Sequence, residues 1–349
     1  INDKLASIVK AFTAFENDNN GAPTKLSALK EILHKSLYGE IGKPMRDKYS
    51  FYETYDMLVA KARVECQWSE STIRKYCTFR KHLQSFAPKT RFAEWDKDMI
   101  NRFIVFEGKK LKMVDSSVQK DVKMLKWFLR RAMKVGAKVP ADFLNFRYKF
   151  KLIEKEVVFL TWDELIRLYN FEVPEEGTVV RLKDISGLIY KKEVRNRSSL
   201  LKTRDLFCFC AFTGLRYSDM ASLKRTDITS NCINVITEKT DCALKIPLNA
   251  YSRAILQKYE DERYPGNLAL PVITNQKMNE YLKDLCEICG FNTPIKYSYY
   301  RGRVRYDEVY PKWQLLGTHG ARRTFICVSL ELGIPTTVIQ KITGHTNEA

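Results

Sequence analysis

Between Ser50 and Leu144 the chain repeats one design four times, with apolar residues three or four positions apart in successive segments joined by short polar stretches. Only a helix buries such a pattern on one side, because a strand needs alternation by two. The segments fall at 50–65, 69–85, 95–109 and 116–134. In W-S-E-S-T-I-R-K-Y-C-T-F-R-K-H-L, residues Ile73, Tyr76, Phe79 and Leu83 form one stripe, which leaves Arg74, Lys75, Arg80 and Lys81 to solvent. D-S-S-V-Q-K-D-V-K-M-L-K-W-F-L-R-R repeats the design, with Ser116 or Asp115 as its cap and Lys120 and Lys123 outside. The expectation is a helical bundle with a basic exterior.

That exterior fits the whole chain, whose 59 Lys+Arg against 41 Asp+Glu give a formal charge of +18. A surface this basic attracts polyanions over long range and releases their counterions on binding, so nucleic acid leads and a membrane surface follows. The excess is local: residues 101–150 hold 13 basic and 4 acidic side chains, whereas residues 151–200 hold nine of each. There is no apolar run long enough to span a bilayer and no secretion-signal pattern, so a soluble, intracellular protein is expected. Nine scattered cysteines, an odd number, fit a reducing compartment. The C-x-x-C at Cys286 and Cys289 lacks a second ligand pair and lies in a helical pattern, so it reads as core thiols rather than a metal site.

With 349 residues, two or three domains are expected. Residues 1–45 read as two helices around a polar turn and then a linker, residues 46–150 as the helical bundle, and residues 157–349 as a second domain. The second domain opens at F-L-T-W-D-E-L, whose T-x-D-E resembles a capping box. Residues 174–199 alternate like a β-hairpin around I-S-G and interrupt the helical pattern as an insertion. Beyond it come helices at 200–213 and 216–224, strands at 231–239 and 243–248, and helices at 250–262 and 274–289. A Tyr- and Arg-rich strand-like segment (295–310) and a helix at 318–332 follow, and a last helix ends at the glycine cap Gly344. The fold class is mostly α with a small β-sheet, a helical bundle followed by a mixed α+β domain.

Four short polar islands stand in apolar surroundings in that second domain. A-F-T-G-L-R-Y-S-D-M places Arg216 after an apolar helix and a Thr-Gly break; I-T-E-K-T-D places Lys239 at a hairpin tip. In G-T-H-G-A-R-R-T-F, His319 and Arg322 lie about one helical turn apart on a shared face, while Arg323 points away from it. His345 follows a helix end in I-T-G-H-T. Each has a plain alternative: Arg216 pairs with Asp219, Lys239 is a turn lysine, and His345 is a capping side chain.

Their order is more telling. T-G-L-R, a hairpin K-T, H-x-x-R-x-T-F and G-H resemble the signature of the tyrosine recombinases, the phage integrase family, and the basic helical bundle resembles that family's core-binding, SAM-like domain. The stretches H-G-A-R-R-T-F, I-T-G-H-T and Y-D-E-V-Y-P-K-W-Q-L-L-G-T-H most resemble integrases of conjugative transposons and related mobile elements of Bacteroides-type bacteria.

The resemblance implies a site-specific DNA recombinase that clamps duplex DNA between its two domains and cleaves through a 3′-phosphotyrosyl intermediate. Arg216 and Arg322 would bind the scissile phosphate with guanidinium forks, which lysine cannot replace. Lys239 would protonate the departing 5′-oxygen, His319 and His345 would hydrogen-bond the phosphate, and Asp219 would orient Arg216. Lys75, Lys81, Lys120 and Lys123 are candidate contacts to the DNA backbone. No metal or other cofactor is implied, because the arginines supply the positive charge. The implied partners are double-stranded DNA at attachment sites, a homotetramer on paired sites, and DNA-bending factors from host or element, in the bacterial cytoplasm at the nucleoid. Residues 1–45 would be what is left of an arm-binding domain or coupler. The family's nucleophilic tyrosine is expected shortly beyond the G-H island, past Ala349, in a tail this chain lacks. Tyr297, Tyr299, Tyr300, Tyr306 and Tyr310 all precede His319 and are poor substitutes. Two rivals share the motifs: a non-catalytic DNA-binding accessory protein, and a type IB topoisomerase-like enzyme.

Overall fold

In a computed structural model of the protein, Thr13, residues 50–239 and residues 241–345 are described, so the helices expected within 1–45 lie outside the described residues, Thr13 apart. The chain divides into two compact units, one running to Ile153 and including Tyr299–Tyr306, the other comprising Glu154–Ser298 and the chain from Asp307 onward.

The first unit holds four helices, α1 (Phe51–Glu65), α2 (Glu70–Phe86), α3 (Lys97–Lys109) and α4 (Asp115–Lys134), close to the bounds their periodicity predicts. Ser50 starts α1 with a capping box, accepting from Glu53 N while Glu53 accepts from Ser50 N. The core is aromatic: Phe51 stacks on Trp95 and meets Phe128 edge-on, and Tyr55, Phe79 and Phe103 fill the space around them. Burying each such ring is worth roughly 2–3 kcal/mol.

Two expectations change here. Neither Ser116 nor Asp115 caps α4; Val114 holds the N-cap position with no side-chain bond, because the Asp115 carboxylate accepts instead from the Gly302 N–H at 2.7 Å. Arg80 is not free on the solvent face either. It donates to both carboxylate oxygens of Asp56, at 2.6 and 2.8 Å, and lies over the Tyr52 ring, bracing α2 on α1.

The second unit is built round one helix. After α5 (Trp162–Tyr169), started by the expected Thr161–Glu164 capping box, and the hairpin β1 (Val179–Lys183) and β2 (Ile189–Glu193), the chain enters α6 (Arg197–Thr213). Leu206 to Phe212 are all buried, so α6 is apolar on every side and needs a partner on every side. It gets α5, α8 (Ala250–Lys258), α9 (Asn275–Ile288) and α11 (Thr318–Glu331). Between these run the short α7 (Tyr217–Ala221), the antiparallel pair β3 (Cys232–Ile236) and β4 (Ala243–Pro247), and the pair β5 (Pro294–Arg301) and β6 (Val304–Pro311), of which Tyr299–Tyr306 counts with the first unit. A single turn, α10 (Lys312–Leu315), leads into α11, and α12 (Thr336–Thr343) comes last.

The Tyr- and Arg-rich segment is therefore a hairpin rather than one strand, turning at Gly302, whose φ is +55°. Strand β3 stops three residues earlier than expected and α7 is shorter, because the polar residues there serve turns. The hairpin at 174–199 forms as expected and docks on α9. Tyr190 donates to Glu287 at 2.5 Å, Lys192 donates to Asp284 at 2.7 Å and also to Glu287, and Asn292 donates to the Lys183 carbonyl at 2.5 Å. Cys286 is buried on α9 and Cys289 at its C-cap, where burial pushes the Cys289 thiol up to about 11.

Candidate active site

The apolar run of α6 ends at Gly214, whose φ of +74° suits glycine. A Cβ there would also sit 2.8 Å from Cδ1 of Phe325 on α11. The turn delivers Arg216 to the N-cap of α7, with its Nη1 3.7 Å from Oδ2 of Asp219. Both atoms are buried and neither makes a hydrogen bond. Asp219 spends its other oxygen on the Glu238 N–H, at 3.1 Å. One buried carboxylate thereby ties the T-G-L-R island to the β3–β4 turn, where Lys239 follows Glu238 and is exposed. Thr237 closes that turn, its N–H donating to the Cys242 carbonyl and its Oγ1 accepting from Cys242 N.

Helix α11 opens at Gly317, and Asn279 of α9 accepts from the Thr318 N–H at 2.9 Å, so the cap comes from a neighbouring helix. His319 lies exposed on the first turn with its ring partly buried, and Arg323 is exposed. Arg322 is 2 % exposed. Its Nη1 donates to the Gly214 carbonyl at 2.8 Å, its Nη2 donates to the Thr343 carbonyl, and Nη2 also lies 3.4 Å from His345 Nε2. Helix α12 ends at Gly344, φ +65°, which is the glycine cap expected there. Behind the islands, Thr324 Oγ1 accepts from the buried Leu160 N–H at 2.9 Å.

His345 has a defined tautomer. Thr343 Oγ1 donates to the Ile339 carbonyl and so accepts from His345 Nδ1 at 2.9 Å, which leaves Nε2 as the lone-pair nitrogen facing Arg322. Burial, then Arg322 and Arg216, hold this imidazole below the usual histidine range. His319 is held down by burial and then by Arg323, Arg322, Arg216 and Lys239. Burial, with Arg216 next, brings Arg322 down to about 10. Among the described residues, positive charge thus gathers around the buried carboxylate of Asp219, an arrangement that an anion relieves.

The structure brings Arg216, Asp219, Lys239, His319, Arg322 and His345 together. Arg322 is set deeper than two equivalent forks would require, with both terminal nitrogens on backbone carbonyls. Lys75 and Lys81 on α2 and Lys120 and Lys123 on α4 are all exposed, away from this cluster in the chain and in the other unit. Lys123 lines a cleft of about 650 Å³ with Lys126, Trp127, Arg130 and Lys134. These were legible as repeats three or four residues apart on α4 but were not singled out. Asn279 and Thr324 were also missed; only the T-F that follows R-R hinted at the second.

Comparison with known proteins bears on the family and the fold. The model described as the phage integrase family matches residues 181–349, and that of the phage integrase SAM-like domain matches residues 50–149. The chain belongs to the phage integrase, or tyrosine recombinase, family, with a SAM-like N-terminal domain. No curated protein matches it. Among solved structures it is similar to a lambda integrase(75–356) dimer bound to a COC′ core site, at 15% identity and TM-score 0.62, covering 86% of this chain and 96% of that one. It is also similar to a lambda integrase tetramer bound to a Holliday junction, at 14% identity and TM-score 0.61, covering 98% of this chain and 87% of that one. The Tn1549 transposon integrase (aa 82–397) in complex with circular intermediate DNA aligns at 13% identity and TM-score 0.56, covering 84% of this chain and 92% of that one. At these identities the likeness is one of fold.

Proposed function

We propose that the chain serves DNA binding and phosphate activation in site-specific recombination that integrates a mobile element of the conjugative-transposon kind. The observation that carries this is the convergence on Arg322, which bonds the Gly214 and Thr343 carbonyls and faces His345, while Asp219 couples Arg216 to the turn of Lys239. In the proposed reaction a tyrosine C-terminal to His345 attacks the scissile phosphorus. The P–O5′ bond breaks as the 3′-phosphotyrosyl bond forms, so no energy cofactor is needed to reseal the strand. Arg216, whose buried Nη1 lacks a hydrogen bond, grips the phosphate, and Arg322 adds its charge from the wall of the site. Lys239 gives its proton to the leaving 5′-oxygen. Because the Nε2 lone pair of His345 faces Arg322, His319 is the better acceptor for the tyrosine proton.

Lys75, Lys81, Lys120 and Lys123 are assigned to the DNA backbone, with Lys126, Arg130 and Lys134 added from the α4 cleft. The neighbours bound to core sites and to a Holliday junction support duplex DNA as partner and assembly as a homotetramer. The test is a nicked duplex carrying the element's junction, incubated with the full protein as its gene encodes it. A protease-sensitive covalent adduct on the junction duplex, with no relaxation of a supercoiled plasmid lacking it, is expected. Relaxation of that plasmid would move the assignment to a topoisomerase, and absence of any adduct to a DNA-binding accessory protein.

A further inference from the structure

Three helices of the first unit turn one ligand each toward a common point: His82 from α2, Glu107 from α3 and Asp121 from α4. His82 Nδ1 lies 2.7 Å from Asp121 Oδ2 and 3.6 Å from Glu107 Oε1, and one donor atom from each residue falls within 4.8 Å of the other two. Glu107 is the telling member. Its side chain has no solvent exposure, and neither of its carboxylate oxygens has a hydrogen-bond partner. Two carboxylates side by side in a core are costly unless something positive sits between them.

We infer that His82, Glu107 and Asp121 form a structural site for a divalent cation of the zinc type, separate from the phosphate site. One imidazole nitrogen and two carboxylate oxygens suit zinc, whereas calcium and magnesium prefer oxygen donors alone. Ligand atoms on a tetrahedral zinc with bonds near 2.0–2.1 Å stand about 3.3 Å apart, so the 2.7 Å hydrogen bond from His82 to Asp121 would open and the 3.6 Å contact to Glu107 would tighten through small rotamer shifts as the ion enters. His82 is partly exposed, which gives the ion an entry path and room for a water as fourth ligand. The site has a consequence for DNA binding. His82 adjoins Lys81, and Asp121 adjoins Lys120, so an ion there would fix the relative positions of the two helices that carry the candidate backbone contacts. The inference of the site itself does not rest on the recombinase reading.

The test uses the protein dialysed against chelator, titrated with zinc chloride by calorimetry, beside the variants Glu107→Gln and His82→Ala. Glu107→Gln keeps the volume and supplies a neutral amide in the core. The expected result is one zinc per chain in the parent protein, a rise in its melting temperature, and at least a tenfold weaker affinity in each variant. Cobalt substitution should give visible bands of a nitrogen- and oxygen-ligated ion without the near-ultraviolet band of a thiolate, which separates this site from adventitious binding at the exposed Cys66 and Cys77. No one-to-one binding, binding retained in either folded variant, or a thiolate spectrum would overturn the inference.

Discussion

Arg322 donates from Nη1 to the carbonyl of Gly214 at 2.8 Å, across 108 residues of sequence, and so fixes one end of the T-G-L-R turn to α11. That carbonyl is placed by a left-handed residue with φ +74°, and a side chain there would strike Phe325. Gly214→Ala should destabilise the second unit by about 2–3 kcal/mol, from backbone strain and overpacking together. Urea unfolding measures it. A cost under 0.5 kcal/mol would mean that Phe325 moves aside freely.

Thr324 has a buried task that valine cannot perform, since its Oγ1 is the acceptor for Leu160 N. Thr324→Val should lose about 1–2 kcal/mol, whereas Thr324→Ser should keep most of the bond and lose less. Thermal melts of the two variants compare them directly; equal losses would point to packing instead.

Asp219 holds two islands at once. Asp219→Asn retains an acceptor for Glu238 N, while Asp219→Ala removes it and leaves Arg216 with an unpaired buried charge. The alanine variant should lose roughly 3 kcal/mol and the asparagine variant less. Hydrogen exchange at Glu238 should accelerate in the alanine variant only. Equal exchange in both variants would separate the Lys239 turn from Asp219.

The two site histidines should respond to pH and to DNA in opposite ways. Both are held below the usual value near 6.5, so the fold favours their neutral forms. Their contribution to stability is present above pH about 6.5 and is lost as pH falls through the lowered folded values, because the unfolded chain then binds more protons. A phosphate in the site supplies the missing negative charge and should raise both. Imidazole nitrogen NMR titrations without and with duplex DNA test this; no upward shift on binding would place the phosphate elsewhere.

The residues of the candidate site were the easiest to single out in the sequence, and their spatial convergence is what the structure adds. The proposed phosphate site would use guanidinium forks, an ammonium and imidazoles, and those residue types leave few substitutes. The bundle was legible too, because one-sided burial on α2 and α4 imposes a 3.6-residue period. What could not be read was how distant segments spend their polar groups. Asp115 looks like a helix cap until Gly302 N takes its carboxylate, and Arg80 looks solvated until Asp56 pairs with it. Asn279 caps a helix that begins 39 residues later, a relation no local pattern records. The depth of Arg322 is of the same kind, set by carbonyls at 214 and 343.

The central claim, that Arg216 acts on the phosphate rather than on the fold, is tested most directly by Arg216→Lys in the full protein. Covalent adduct on a nicked junction duplex and equilibrium binding of intact duplex are measured side by side. The account predicts that the adduct disappears, because an ammonium cannot reproduce the fork, while duplex affinity stays within about threefold, under 1 kcal/mol. Adduct formation at the parent level, or loss of adduct and binding in equal measure, would contradict it.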